Sequence, residues 1–243
     1  MIKLIVSDFD GTLMPYGESA LSSAVKNQIT KAKEQGMVFA VSSGRTYSEL
    51  LPYFAGFEND VWFICCDGAY YIKNGRSYYE KQIERADLEL FFKRAGNGFS
   101  FVLHGAEKNY CVGELPREAC AFCSERVTKL GDVKEKIFKI TAYGGEIKLP
   151  EYSGLRMHWD GGENAVSQYV NRFCDKGAAL SDLQMRLMLT KFDTACLGDG
   201  GNDVAMMRNA KISVCIGERS RELAEVCSIC ADKAEDALSK LIK

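Results

Sequence analysis

Short apolar runs alternate with helix-like segments in this chain. The first three runs are IKLIVS, MVFAVSS and VWFICC, and the segment from Ser22 to Gln35 between the first two has the 3.6-residue periodicity of a helix. A serine at position 22 or 23 can cap this helix, and Gly36 is a typical terminator. Strands that alternate with helices over short connections form parallel sheets with right-handed crossovers. The alternation therefore predicts an α/β fold built on a parallel sheet.

The alternation stops after the third run and resumes at Lys176. The segment YYIKNGRSYYE has two aromatic-rich runs on either side of Asn74-Gly75, which is typical of a type I′ hairpin. After this hairpin, helix-like and strand-like segments are mixed, which indicates an α+β domain. We therefore predict a discontinuous core at 1–81 and 176–243, with an inserted α+β domain at 82–175.

The inserted domain contains both kinds of pattern. Helices are predicted from Ala86 to Ala95 and from Pro116 to Leu130, and strands at FSFVLH, NYCVG, KIFKITAY and LRMHW. The spacings in Glu163 to Phe173 fit a helix and a strand equally, so this segment stays unassigned.

The charge balance excludes some kinds of partner. Thirty-one Lys and Arg against thirty-three Asp and Glu give a net charge of −2, which argues against nucleic-acid binding. No run approaches the roughly 18 apolar residues of a membrane span, and Asp8 and Asp10 interrupt any secretory apolar segment. We expect a cytoplasmic protein with no nucleic-acid or membrane partner.

The ten cysteines are expected to be reduced, because the cytosol disfavours structural disulfides. Cys120/Cys123 and Cys227/Cys230 have C-x-x-C spacing, which a zinc site could use. Both pairs lie in apolar patterns without knuckle glycines, so buried thiols are the favoured interpretation.

Polar residues follow several apolar runs, where parallel sheets bind their ligands. Asp8 and Asp10 follow the first run at a spacing that puts both on one side of an extended chain. Neighbouring carboxylates repel, so a bound cation or a proton would be needed to keep them together. A simple turn is the alternative interpretation, since aspartate is a common turn residue.

The second run ends in Ser42, Ser43, Gly44 and Arg45. Hydroxyl, backbone amide and guanidinium donors in one turn can cradle a phosphate. The alternative is a helix-capping serine beside a surface arginine.

Two later segments complete the set of candidate site residues. Lys176-Gly177 opens a predicted helix, and Asp199 and Asp203 flank the glycine turn in GDGGND. If all these loops converge, four aspartates face Lys176 and Arg45 in one crevice. The surplus negative charge and the oxygen ligands favour Mg²⁺.

Four segments in this order resemble the motifs of the haloacid dehalogenase superfamily: DFDGT at 8–12, SSGR at 42–45, KGAAL at 176–180 and GDGGND at 198–203. The long insert between the second and third is similar to the Cof-type phosphatase branch, whose α/β cap closes over the site. The resemblance implies a Rossmann-like core with an inserted α+β cap. It also implies a Mg²⁺-dependent phosphatase acting on a small phosphorylated metabolite, such as a sugar phosphate.

The same resemblance implies roles for the acids. Asp8 would be the nucleophile that forms an aspartyl-phosphate, and Asp10 the general acid that later deprotonates water. Mg²⁺ would be held by the Asp8 carboxylate, the Asp10 carbonyl and Asp199, with support from Asp203. The expected phosphate-binding residues are Ser43, Gly44, Arg45, Lys176 and Asn202.

The sequence departs from the family pattern at Asp67-Gly68, where Asn-Gly is common, and at Glu218 in the turn CIGER. These departures keep open a metal- or metabolite-binding regulator without catalysis. A second alternative is a phosphosugar mutase, which shares the aspartyl-phosphate but returns the phosphoryl group to a sugar hydroxyl. The cap candidates for contacting the leaving group are His104, Arg156, His158 and Trp159.

Overall fold

The computed structural model describes residues 1–96, 98–160, 166–217 and 220–242, without the side chains of residues 158–160. The chain forms two compact units. The first unit comprises residues 1–45, 50–79 and 175–243, and the second unit comprises 46–49 and 80–174. The short segment 46–49 thus belongs with the inserted region, which the sequence pattern did not indicate.

The helices and strands follow one another along the chain in an order that the sequence largely anticipates. They are β1 (Leu4–Asp8), α1 (Ser23–Glu34), β2 (Val38–Ser42), α2 (Tyr47–Leu50), β3 (Val61–Cys65), β4 (Tyr70–Lys73), β5 (Arg76–Glu80), α3 (Arg85–Ala95), β6 (Ser100–His104), β7 (Asn109–Val112), α4 (Arg117–Cys120), β8 (Glu125–Arg126), β9 (Lys139–Tyr143), β10 (Leu155–Asp160), β11 (Val166–Asn171), α5 (Lys176–Arg186), β12 (Thr194–Gly198), α6 (Val204–Arg208), β13 (Ile212–Ile216), α7 (Arg221–Val226), β14 (Ile229–Ala231) and α8 (Ala234–Leu241).

The first unit is built on a sheet with the strand order β14-β13-β12-β1-β2-β3-β4-β5 in the described part of the chain. The strands from β14 to β3 are parallel, and β4 is antiparallel to β3. Asn74 and Gly75 both have positive φ, 52° and 71°, as a type I′ turn requires. The predicted α/β fold with a parallel, Rossmann-like sheet is confirmed, and the hairpin extends that sheet.

Helix α1 shows how the sequence sets one of these elements. Ser22 caps it by accepting a hydrogen bond from the Val25 amide at 3.1 Å. Val25, Ile29 and Ala32 lie on one face and are buried. Gly36, with φ +72°, follows the last turn, so both predicted boundaries are confirmed.

The second unit contains a sheet with the strand order β10-β11-β9-β6-β7-β8. Its paired strands are antiparallel except for β7 and β8, which are parallel. Alternate residues of β6 and β9, such as Phe101 and Ile140, enter a core that also contains Phe91 of α3. In the segment left unassigned, Val166–Asn171 forms strand β11 and a turn follows, whereas residues 163–165 lie outside the described ranges.

The predicted helix from Pro116 to Leu130 is wrong beyond its first turn. Only Arg117–Cys120 is helical, and the chain then runs beside β7. The Ser124 and Val127 amides donate to carbonyls of β7 at 2.9 Å each. Pairing with a strand edge thus overrides the helical spacing of the apolar residues.

The prediction that all ten cysteines are reduced is also wrong. Cys111 of β7 and Cys123 form a disulfide, with their Cα atoms 5.7 Å apart. The two residues come together because the chain after α4 returns to the edge of β7, which no local pattern reveals. Cys120 and Cys230 are exposed, and so are not the buried thiols expected from the C-x-x-C pairs.

No helix in the described ranges is both long and apolar enough to cross a membrane. The cytoplasmic location stays a prediction.

Candidate active site

The sheet of the first unit brings the polar strand ends together. β1 lies between β2 and β12, with Asp8 beside Ser42 and Ser7 beside Leu197. Because these strands are parallel, Asp8, Ser43 and Asp199 all lie at the carboxyl-terminal ends of the strands, on the same side of the sheet. Asp175 caps α5 by accepting from the Ala178 amide at 2.7 Å, and this fixes the start of the helix at Lys176.

Lys176 lies between two acids. Its Nζ donates to Asp8 Oδ1 at 2.5 Å and to Asp203 Oδ1 at 2.7 Å. The second oxygen of Asp203 accepts from the amides of Asp199 and Gly200, both at 3.1 Å. Asp203 therefore holds the lysine and orders the turn that carries Asp199.

Burial and charge set the protonation of this group. Burial raises the pKa of Asp8 well above its usual value against the opposing effect of Lys176, and Asp203 and Asp199 raise it further. Burial would lower the pKa of Lys176, but Asp203, Asp8 and Asp67 outweigh it and raise that pKa. The lysine thus stays charged, but its single positive charge does not neutralise the carboxylates around it.

Asp8, Asp199 and Asp203 could share a metal ion. One carboxylate oxygen from each lies within 4.8 Å of the others, and all three residues are buried. Three carboxylates against one ammonium leave negative charge that a divalent ion would neutralise, and oxygen donors suit Mg²⁺. The residues present therefore fit the predicted ion.

Neighbouring side chains hold Asp199 in place. Thr12 Oγ1 lies 3.5 Å from Asp199 Oδ1, and Tyr16 Oη lies 3.4 Å from Oδ2. Gly11, with φ +82°, passes so close that a Cβ there would overlap the Asp199 carboxylate. Sequence reasoning missed Tyr16, because nothing in its local sequence marks it as a contact of Asp199.

Asp10 and Arg45 pair with each other, and their place in this crevice stays a prediction. The Arg45 guanidinium binds the Asp10 carboxylate through Nε at 2.9 Å and Nη2 at 2.7 Å, and through Nη1 it donates to Tyr53 Oη at 3.2 Å. The rings of Phe9 and Tyr53 lie against the guanidinium. β1 ends at Asp8 and a turn begins at Phe9, so Asp10 lies beyond the extended strand.

The remaining phosphate-binding candidates lie beside Asp67. Ser43 is buried, and its Oγ accepts from the Arg45 amide at 3.1 Å. Asn202 Nδ2 donates to Asp67 Oδ1 at 3.2 Å. A Cβ on Gly44 would lie 3.0 Å from Asp67 Oδ2. The sequence marked Asp67 only as a departure from a family pattern, whereas the structure places it among the candidate site residues.

The candidates from the second unit have contacts of their own. His104 Nε2 hydrogen-bonds Thr141 Oγ1 at 2.9 Å, and Arg156 donates to the Cys174 carbonyl. The side chains of His158 and Trp159, and the whole of Glu218, lie outside the described residues. That any of these residues contacts a leaving group stays a prediction.

A sequence family described as haloacid dehalogenase-like hydrolase matches residues 5–242. The chain belongs to this family. The match spans both units, so the whole described chain, and not only the four motifs, has the family's organisation. The prediction made from those motifs is confirmed.

Curated relatives of this family member are phosphatases. A 5-amino-6-(5-phospho-D-ribitylamino)uracil phosphatase of Escherichia coli K12 is 24% identical over 87% of this chain and 84% of its own length. A phosphatase with the same named substrate from Bacillus subtilis 168 is 22% identical over 100% of this chain and 95% of its own. The haloacid dehalogenase-like chain is thus an enzyme of the phosphoric monoester hydrolase class, as predicted.

Solved structures support the fold independently. The structure of BT1666, a phosphatase of the same superfamily from Bacteroides thetaiotaomicron, has a TM-score of 0.84 and 21% identity, over 99% of this chain and 94% of that chain. At this identity the similarity establishes the fold alone.

Proposed function

We propose that the protein is a Mg²⁺-dependent phosphatase that hydrolyses a small phosphorylated metabolite through an aspartyl-phosphate on Asp8. The observation that carries this proposal is the group of Asp8, Asp199 and Asp203 around the Lys176 ammonium. A buried carboxylate beside a fixed cation and two metal-binding acids can be a nucleophile toward phosphorus.

In the first step, an oxygen of Asp8 bonds to phosphorus and the bond from phosphorus to the leaving oxygen breaks. Asp10 gives its proton to that oxygen. In the second step, water attacks phosphorus and gives a proton to Asp10, and the bond from Asp8 to phosphorus breaks. Arg45 donates to both Asp10 oxygens and so orients this side chain, and Asp10 takes up its proton when the contact loosens.

Positive charge and hydrogen-bond donors would stabilise the transferring phosphoryl group. Lys176 supplies a buried ammonium, and Ser43, the Gly44 amide and Asn202 supply neutral donors. Mg²⁺, held by the carboxylates of Asp8 and Asp199 with support from Asp203, would neutralise charge on the phosphoryl oxygens. The Asp10 carbonyl stays a predicted further ligand.

The names of two relatives support the proposed substrate class. Both are named for a substrate with a phosphorylated ribityl chain. A phosphate monoester of a sugar or a similar small metabolite is therefore the proposed substrate. We keep the predicted division of labour, with a catalytic core at 1–81 and 176–243 and a specificity cap at 82–175, as part of this proposal.

The test uses p-nitrophenyl phosphate as a generic substrate. Asp8→Asn removes the nucleophile with little change in shape, and we expect kcat to fall by about a thousandfold or more. EDTA should stop wild-type turnover, and added Mg²⁺ should restore it. Asp60→Asn is the matched control. Asp60 lies at the amino-terminal end of β3, opposite the strand ends that carry the candidate site, and it pairs with Lys33. Full activity of Asp8→Asn or of the EDTA-treated enzyme would refute the proposal.

A panel of phosphorylated metabolites then separates the phosphatase from the mutase alternative. Release of inorganic phosphate supports hydrolysis, whereas an isomeric phosphosugar without free phosphate would identify a mutase.

A further inference from the structure

The backbone around Asp67 is held tightly at the end of β3. Asp67 has φ +56°, and its amide donates to the Ser43 carbonyl at 2.9 Å. The next residue, Gly68, has φ +92°, and a Cβ there would overlap the Asp175 carbonyl just before Lys176. The position of residue 67 is thus fixed against both the β2 turn and the start of α5.

The Asp67 side chain is 2% exposed and points at candidate phosphate-binding residues. Its Oδ1 accepts from Asn202 Nδ2 at 3.2 Å, and Oδ1 and Oδ2 lie 3.3 and 3.0 Å from where a Gly44 Cβ would be. Asp67 is also one of the acids that raise the pKa of Lys176, so its charge acts on that ammonium. One carboxylate therefore adjoins three residues that we propose bind phosphate.

The charges in this region do not balance. When ionised, Asp8, Asp67, Asp199 and Asp203 carry four negative charges, and Lys176 carries one positive charge. A divalent ion would still leave the group with one net negative charge. The Asp67 carboxylate would therefore oppose, at close range, the attraction of an inorganic phosphate dianion to Mg²⁺ and Lys176.

We propose that Asp67 is a positioning and specificity residue, which holds the Asn202 amide and whose carboxylate weakens the binding of phosphate dianion. This inference rests on the proposed phosphatase function. Its chemical consequence is easier release of the product, inorganic phosphate, after each turnover. An asparagine at the same position would keep the hydrogen bond and lose the repulsion.

Asp67→Asn is the decisive variant. Asparagine keeps an acceptor oxygen for Asn202 and tolerates positive φ, while the negative charge is lost and one oxygen becomes an amide donor. We expect the inhibition constant of inorganic phosphate against p-nitrophenyl phosphate to fall by about tenfold, because one close repulsive charge is removed. The KM for p-nitrophenyl phosphate should also fall, while kcat does not rise. The reason is that the variant binds both the substrate and the product more tightly than the wild type does.

Asp60→Asn is again the matched control, since it removes the same charge at the other edge of the sheet and should leave the inhibition constant unchanged. An inhibition constant in Asp67→Asn within about twofold of wild type would overturn the inference. If that variant folds poorly in thermal denaturation, Asp67→Ser also removes the charge, without adding an amide donor, and its inhibition constant for inorganic phosphate should fall as well. The proposed function fails separately, through absence of phosphate release by the wild type. Calorimetric binding of inorganic phosphate to wild type and Asp67→Asn, in the presence of Mg²⁺, then still decides the inference.

Discussion

Asp8 and Asp10 are two residues apart in one motif, yet their surroundings differ. Asp8 is 6% exposed and shares the Lys176 ammonium with Asp203. The Asp10 side chain is 38% exposed and forms an ion pair with the Arg45 guanidinium. The cause is local, because β1 ends at Asp8 and the chain turns before Asp10.

The comparison shows that two acids of the same residue type differ in how their charge is compensated. Around Asp8 the carboxylates outnumber the cation, which favours a bound metal ion. At Asp10 one carboxylate pairs with one guanidinium, so the two charges neutralise each other. A buried pair also depends more on its partner than a partly exposed pair, since removing one member leaves an uncompensated charge out of water.

The largest effect is expected for Lys176→Met. This substitution leaves Asp8 and Asp203 buried together without their cation, and it should lower the free energy of unfolding by about 3 to 5 kcal/mol. Urea denaturation at neutral pH in EDTA measures the change. The raised pKa of Lys176 means that this stabilisation is complete below the usual value of 10.5 and is lost only as the pH rises through the raised value.

Lys3→Met is the control for that measurement. Lys3 is exposed and lies 3.7 Å from Asp193 at the surface, so its loss should change stability little. Equal effects of the two substitutions would remove the distinction between the buried and exposed ion pairs.

The next largest effect is the stabilisation by Mg²⁺, which should distinguish Asp199 from Asp10. At a concentration about a hundred times its Kd, Mg²⁺ should stabilise the wild type by about 2.7 kcal/mol. Asp199→Asn should largely abolish this gain, because it removes a ligand carboxylate. Asp10→Asn should keep it, because only the Asp10 carbonyl is a predicted ligand.

Thermal denaturation with and without Mg²⁺ measures both variants. Loss of the Mg²⁺ stabilisation in Asp10→Asn, with retention in Asp199→Asn, would reverse our assignment of the two acids.

The smallest effect on stability is expected for Arg45→Gln. The Asp10 and Arg45 side chains are both partly exposed, so screening by solvent limits the pair to about 1 kcal/mol or less. Activity should fall more than stability, since Asp10 loses the group that orients it. Parallel measurement of urea denaturation and kcat tests this split, and a large loss of stability with unchanged kcat would contradict it.

Much of the fold was accessible from local patterns. The serine cap and apolar spacing of α1, the Asn-Gly turn and the apolar strands of the core are all set by residues close together in the chain. The region from Pro116 to Leu130 was not accessible in this way. There the chain pairs with the edge of β7 and closes a disulfide with Cys111, and both contacts join residues that are distant in sequence.

The candidate site divides in the same manner. The motifs identified Asp8, Asp199, Asp203 and Lys176, because strand ends of a parallel sheet meet at one edge. They did not show that Arg45 binds Asp10, that Tyr16 reaches Asp199 or that segment 46–49 belongs with the second unit. These depend on where turns direct each side chain, and the residue spacing does not specify turn geometry.

The sequence by itself therefore determined the family, the α/β architecture and the identity of the acids and the lysine. Local periodicity and turn residues determine helices, strands and turns over a few positions. The order of the motifs indicates which strand ends form the site. Only the tertiary structure decided how charge is shared among these groups. In the structure Lys176 lies between Asp8 and Asp203, Asp10 pairs with Arg45, and Asp67 is buried beside Asn202. Electrostatic interactions depend on distances and burial in space, which the order of residues along the chain does not specify.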